Sequence, residues 1–129
     1  MIEAVTRFLD AVQAGRPVPA GVFADDVQLD ATVPNWRLSR SGADAVRDEF
    51  ARWYADPGAF ESVTRTEVPG GELVTFLLTW TEGGVPFAAH QAHVIEADGG
   101  VIAKDTVWCG GRWDAGLLAE MEEADRARA

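Results

Sequence analysis

A single cysteine, Cys109, leaves this 129-residue chain without an internal disulfide, so the fold must rest on burial. Positive charge is also scarce: 11 Lys and Arg stand against 21 Asp and Glu, a formal net charge of -10. Such a surface repels phosphate backbones and anionic headgroups, so neither nucleic acid nor membrane is an expected partner. No apolar run approaches the ~18 residues of a bilayer-spanning helix. Glu3, Arg7 and Asp10 break up the first dozen residues, which argues against a leader segment and for a cytoplasmic protein. Repeats, low-complexity tracts and interdomain linkers are missing, so residues 1–129 read as a single domain, a size that buries about two thirds of its unfolded surface. What is present is core material: 47% hydrophobic residues, with 5 Trp and 6 Phe.

Periodicity divides the chain into helices first and strands afterwards. Ile2, Val5, Leu9 and Val12, with Phe8 beside them, recur at helical spacing until Gly15 and Pro17. Residues 19–24 suggest a short helical turn, and Val27, Leu29, Ala31 and Val33 alternate with polar residues up to Pro34. Asn35, Trp36 and Arg37 read as a loop. Ser41 as N-cap, with Asp44 three residues on, opens a second helix through Val46, Phe50 and Trp53. Four alternating segments follow, at about 60–68, 72–82, 86–97 and 101–109, separated by glycine turns that suit antiparallel hairpins. Asp114 can cap a last helix carrying Leu117, Leu118 and Met121, with a fraying tail from Glu122. The expected class is α+β, with N-terminal helices on one face of a curved antiparallel sheet and a short C-terminal helix.

Phe23-Ala24-Asp25-Asp26, then a strand, then Arg40-Ser41-Gly42-Ala43-Asp44-Ala45-Val46-Arg47 and Phe50 resemble the ketosteroid isomerase and SnoaL-like cyclase branches of the nuclear transport factor 2-like superfamily. The resemblance implies a cone-shaped domain around one pocket, working without a cofactor. It also sets limits, because fold alone does not assign function. Carried over residue by residue, the carboxylate base of the steroid isomerases falls at Ala31, and their oxyanion-binding tyrosine at Phe8. The strand aspartate of the epoxide hydrolases that share the fold falls at Val107. None of these three can do the corresponding chemistry. His93 falls near the pocket acid that hydrogen-bonds a substrate carbonyl.

Cross-strand register, counted outward from the turns, supplies the remaining constellation. The Asp98–Gly100 turn sets His93 opposite Asp105, Gln91 opposite Val107 and Ala89 opposite Cys109. The Gly83-Gly84 turn sets Val74 beside His93, Phe76 beside Gln91 and Leu78 beside Ala89. Facing residues lie about 5 Å apart at Cβ, within reach of an imidazole–carboxylate hydrogen bond. His93 as general acid-base with Asp105 as its orienter is one reading; a polar pair satisfying itself in the core is the other. Gln91, Phe76, Val107 and Cys109 would share that pocket-facing side, with Cys109 also readable as a structural thiol. Trp36 and Asn35 would border the mouth, Trp36 either lidding a ligand or packing on the second helix, and Trp53 would line the pocket or join the core. His90 and His93 lie three apart on a strand and so face opposite ways, which argues against a metal site.

The opposite sheet face, with Thr75, Leu77, His90, Ala92, Val94 and Trp108, is too apolar to stand fully solvated, so a homodimer through that face is expected. Three functions stay in play. One is cofactor-independent proton transfer on a small hydrophobic carbonyl compound, as an isomerase, cyclase or dehydratase. The second is non-catalytic binding of a small apolar ligand. The third is a purely structural or partner-binding dimer whose own Trp and Phe side chains fill the pocket.

Overall fold

The computed structural model describes residues 1–129 and contains three helices and one mixed sheet. Helix α1 spans Glu3–Ala14 and buries Ala4, Val5, Phe8, Leu9, Ala11 and Val12, the stripe its periodicity predicts. Gly15 ends it at φ 65°, and a Cβ there would stand 2.5 Å from the backbone carbon of Asp56. Only glycine fits both demands. Strand β1 (Phe23–Val33) begins where a short helical turn was expected, and it pairs with β2 (Trp36–Ser41) across a tight turn in which Asn35 takes φ 61°. Trp36 and Arg37 are therefore strand residues, not loop. Asn35 tolerates the left-handed conformation because its short polar side chain can bond locally.

Helix α2 (Ala43–Trp53) follows with Gly42, at φ 94°, in the capping position; the Ser41 hydroxyl instead donates to Gln28 Oε1 at 2.9 Å across β1 and β2. The meander consists of β3 (Gly58–Val68), β4 (Gly71–Glu82), β5 (Val85–Asp98) and β6 (Val101–Cys109). A two-residue strand, β7 (Trp113–Asp114), pairs with β5 and leads into α3 (Ala115–Arg128). Asp114 caps α3 as expected, accepting from Leu117 N–H at 2.9 Å, and the helix continues through the segment expected to fray.

The strand order is β2-β1-β6-β5-β4-β3, antiparallel throughout except that β1 runs parallel to β6. The sheet is thus mixed where an antiparallel one was expected. Helix α1 and α2 cover its inner face, and Phe8, Phe23, Phe50 and Phe76 fill the space beneath them. Phe8 sits 5.2 Å from Phe50 and 6.0 Å from Phe23 between ring centroids, in the range favourable for tilted aromatic pairs. A buried ionic clamp fixes the start of α1. Arg65 on β3 donates to both oxygens of the fully buried Glu72, at 2.7 and 2.8 Å, while Ile2 N–H donates to Glu72 at 2.9 Å and Arg65 also reaches Thr6 Oγ1 at 2.7 Å. The Arg65 bond holds the Glu72 carboxyl below its ordinary range.

Candidate functional site

Alternation along β5 points Ala89, Gln91, His93 and Ile95 to the concave side, and all four are buried. Val74 pairs with His93 and Phe76 with Gln91, as the turn at Gly83-Gly84 requires. The β5–β6 register differs from expectation by two residues: His93 lies opposite Val107, Gln91 opposite Cys109, and Ile95 opposite Asp105. One residue of the difference arises at the turn, where Asp98 pairs with Val101 and only Gly99-Gly100 lie between them, and the irregularity between Glu96 and Ala97 adds the other. A bulge leaves one residue unpaired, and composition does not announce it. A shift of two keeps every side chain on its face, so His93 and Asp105 meet diagonally, with Nδ1 2.7 Å from Oδ2.

The His93 ring is shut off from solvent, packed 5.3 Å from Phe76, 5.7 Å from Phe8 and 6.4 Å from Phe50. Its Nε2 lies 2.9 Å from Gln91 Oε1, which also accepts the Tyr54 hydroxyl hydrogen bond. An oxygen of Asp105 and one of Gln91 therefore face the two ring nitrogens. Gln91 Nε2 completes the chain by donating to Cys109 Sγ at 3.4 Å, where Gly111 N–H also donates at 3.4 Å. Burial pushes the Tyr54 phenol well above the ordinary tyrosine range, and negative charge at Asp105 and Cys109 adds to the rise against the opposing Gln91 bond. Tyr54 is thus a neutral donor. Asp105 Oδ1, fully buried, has no partner.

A cavity of about 460 Å³ opens beyond this chain, where β1 and β6 end and β5 begins. Trp53, Tyr54, Leu78, Trp80 and Ala89 form much of its wall, with Gln91 and Cys109 at the inner end. Val33 and Pro34 border it on the β1 side, and Arg52, Glu82 and Arg112 carry its charges. Of the residues expected in a pocket, Gln91, Trp53 and Cys109 line the cavity. Phe76 and Val107 lie in the core instead, and His93 and Asp105 sit one layer behind Gln91. Trp36 and Asn35 are not on the wall: the tight turn directs Trp36 onto the edge strand, where it is 70% exposed. Ala31, Phe8 and Val107 are all fully buried in the core and away from the cavity. His90 is exposed on the face opposite His93.

Sequence reasoning missed Tyr54, Trp80, Arg52, Glu82 and Arg112 as cavity residues. Tyr54 carried a usable signal, because it falls four residues after Phe50 and so continues the buried stripe of α2. Trp80 pairs with Phe87, their rings stacked at 5.7 Å. Arg112 lies over both rings, at 4.9 Å from Phe87 and 5.8 Å from Trp80, and bonds Glu82. That bond keeps the Glu82 carboxyl below its ordinary range.

No protein-family model matches the sequence, and no curated protein matches it. The architecture, however, recurs widely among solved structures. A Bacillus subtilis protein whose name provisionally assigns it as an isomerase superposes with a TM-score of 0.69 at 14% identity, over 84% of each chain. A nuclear transport factor 2-like protein from Burkholderia xenovorans LB400 does so with 0.66 at 13% identity, covering 84% of this chain and 87% of its own. A Catenulispora acidiphila protein with a ketosteroid isomerase-like fold, solved with trimethylamine, gives 0.63 at 19% identity, over 84% and 85%. The chain adopts the nuclear transport factor 2-like fold, an α+β cone as its sequence resemblance implied.

Proposed function

We propose that this protein binds a small, largely apolar molecule in the 460 Å³ cavity, with Tyr54 and Gln91 supplying the polar contacts at its inner end. The supporting observation is the wall itself: aromatic and aliphatic side chains converge on one short polar chain, the usual make-up of a small-molecule site. The volume falls within the ~300–1,000 Å³ typical of such sites. His93 and Asp105 then act as positioning residues, holding the Gln91 amide from behind. Ala89→Leu tests this directly, because it adds bulk inside the cavity and removes nothing. Apolar probes such as naphthol, followed by quenching of Trp53 and Trp80, are expected to lose at least ~10-fold in affinity, equivalent to ~1.4 kcal/mol. Unchanged affinity in a folded Ala89→Leu variant would place binding elsewhere and sink the reading.

One observation favours a second reading, proton transfer on a small carbonyl compound. Tyr54, Gln91, His93 and Asp105 form a continuous hydrogen-bonded chain from cavity to core. Tyr54, kept neutral, would swing its single O–H from Gln91 Oε1 to the substrate carbonyl, while the His93–Asp105 pair would hold Gln91 in place behind it. Under this reading Tyr54→Phe and His93→Gln abolish turnover while binding persists. A bound carbonyl compound recovered without isomerisation or exchange of its α-hydrogens in deuterated water would refute it.

A further inference from the structure

The cavity wall carries two guanidiniums, Arg52 and Arg112, and one carboxylate, Glu82, whereas the chain as a whole carries a formal net charge of -10. Guanidiniums thus outnumber carboxylates on the wall itself, with Arg112 paired to Glu82 and Arg52 to Glu49 just behind it. Hydrogen-bond supply is unbalanced in the same direction. Glu49 already accepts from Arg52 at 3.0 Å and Trp53 Nε1 at 2.9 Å, with Arg40 Nε 3.1 Å away. Glu82 is taken by Arg112 and Trp80. Each guanidinium offers five N–H donors, yet Arg112 donates within the protein only to Glu82 and Arg52 only to Glu49. N–H donors left without a protein partner therefore outnumber the remaining carboxylate lone pairs at the mouth.

A cationic ligand is less well served, because the Arg112 guanidinium already lies over the wall residue Trp80 at 5.8 Å and would repel it there. The inner end of the cavity, formed by Tyr54, Gln91 and Cys109, presents no cation for a second anionic group. Resting on the cavity reading above, we infer that the ligand is an apolar monocarboxylate: its body lies against Trp53, Leu78 and Ala89, and its carboxylate is held at the mouth by Arg112 and Arg52. A planar fork meets a carboxylate through two parallel N–H bonds, so arginine suits this role better than lysine.

The test compares 1-naphthylacetate with its neutral isostere 1-naphthylacetamide on the full chain, by tryptophan quenching and calorimetry. The carboxylate is expected to bind at least ~10-fold tighter, a preference that shrinks as salt rises. Arg112→Gln should bring the two probes to within about twofold of each other, read as the ratio of their Kd values, and Arg112→Lys should restore only part of the preference. Arg52→Gln provides an independent variant should Arg112→Gln misfold by circular dichroism. Equal or tighter binding of the amide overturns the carboxylate inference and leaves the cavity reading intact. A preference that survives both Arg112→Gln and Arg52→Gln also overturns it. Failure of both probes to bind the wild type at millimolar concentration overturns the two readings together.

Discussion

Replacing His93 with leucine tests how the polar layer behind the cavity is held together. The ring is fully buried among Phe8, Phe50 and Phe76, so leucine fits the volume and keeps the apolar contacts. What it removes is the sole hydrogen-bond partner of Asp105, whose other oxygen already has none. Breaking a buried pair from one side typically costs about 3–5 kcal/mol, because the survivor stays buried and uncompensated. Against a total stability of about 5–15 kcal/mol this is a large fraction. At about 4 °C per kcal/mol for a chain of this size, Tm should fall by roughly 12–20 °C. The double variant His93→Leu, Asp105→Leu is expected back within about 2 kcal/mol of wild type, since replacing both partners by apolar groups is often neutral. Urea denaturation with unchanged m-values measures all three species. A loss below about 1 kcal/mol in the single variant, or a double variant less stable than the single, would show that the pair is not held as described.

Two further outcomes follow from the geometry. Tyr54 is the chain's only tyrosine, so the tyrosinate absorbance of the whole protein reports on it alone. Its folded pKa is raised, so the ionised form is penalised only in the native state: stability is intact below the unfolded value and declines as pH climbs past it. Alkaline titration should therefore show no tyrosinate until unfolding; ionisation at the ordinary tyrosine pH with near-UV dichroism preserved would contradict the burial. On the outer face, Trp108 is 49% exposed beside Ala92 and Thr32, and we propose that a second copy covers it. Sedimentation should show a dimer that Trp108→Glu converts to folded monomers; a wild-type monomer at high concentration would rule the interface out.

Side-chain alternation made the facing of His93, Gln91 and Asp105 legible, because a period of two fixes which side of a sheet each residue takes. Their exact partners were not legible. The two-residue turn at Gly99-Gly100 and the irregularity after Glu96 each move the β6 register by one, and bulges arise from local backbone geometry with no reliable compositional mark. Helix α1, α2 and the four meander strands were readable from strong periodicity and glycine turns. Trp36 was misplaced because Pro34-Asn35 makes a tight turn where a loop seemed needed. The cavity's position was hidden for a different reason. It depends on how completely Phe8, Phe50 and Phe76 fill the cone's interior, a question of three-dimensional volume that pattern cannot answer. Arg112, flanked by Gly111 and Trp113 beyond the last long strand, offered no periodic signal at all.

The parallel seam between β1 and β6 governs how the protein comes into being during synthesis. Leu29 and Ala31 have Arg40 and Leu38 on one side, but on the other side their neighbours are the distant Asp105 and Val107. Helix α1 and the β1–β2 hairpin therefore leave the ribosome with one long edge unpaired and their apolar side uncovered. Pairings between distant segments are also the slowest to form, since the loop must close before any contact repays it. The sheet is completed when the last long strand arrives, so a nascent chain halted before Val101 holds an open β1 edge, the kind of surface on which chains pair with one another instead of with themselves.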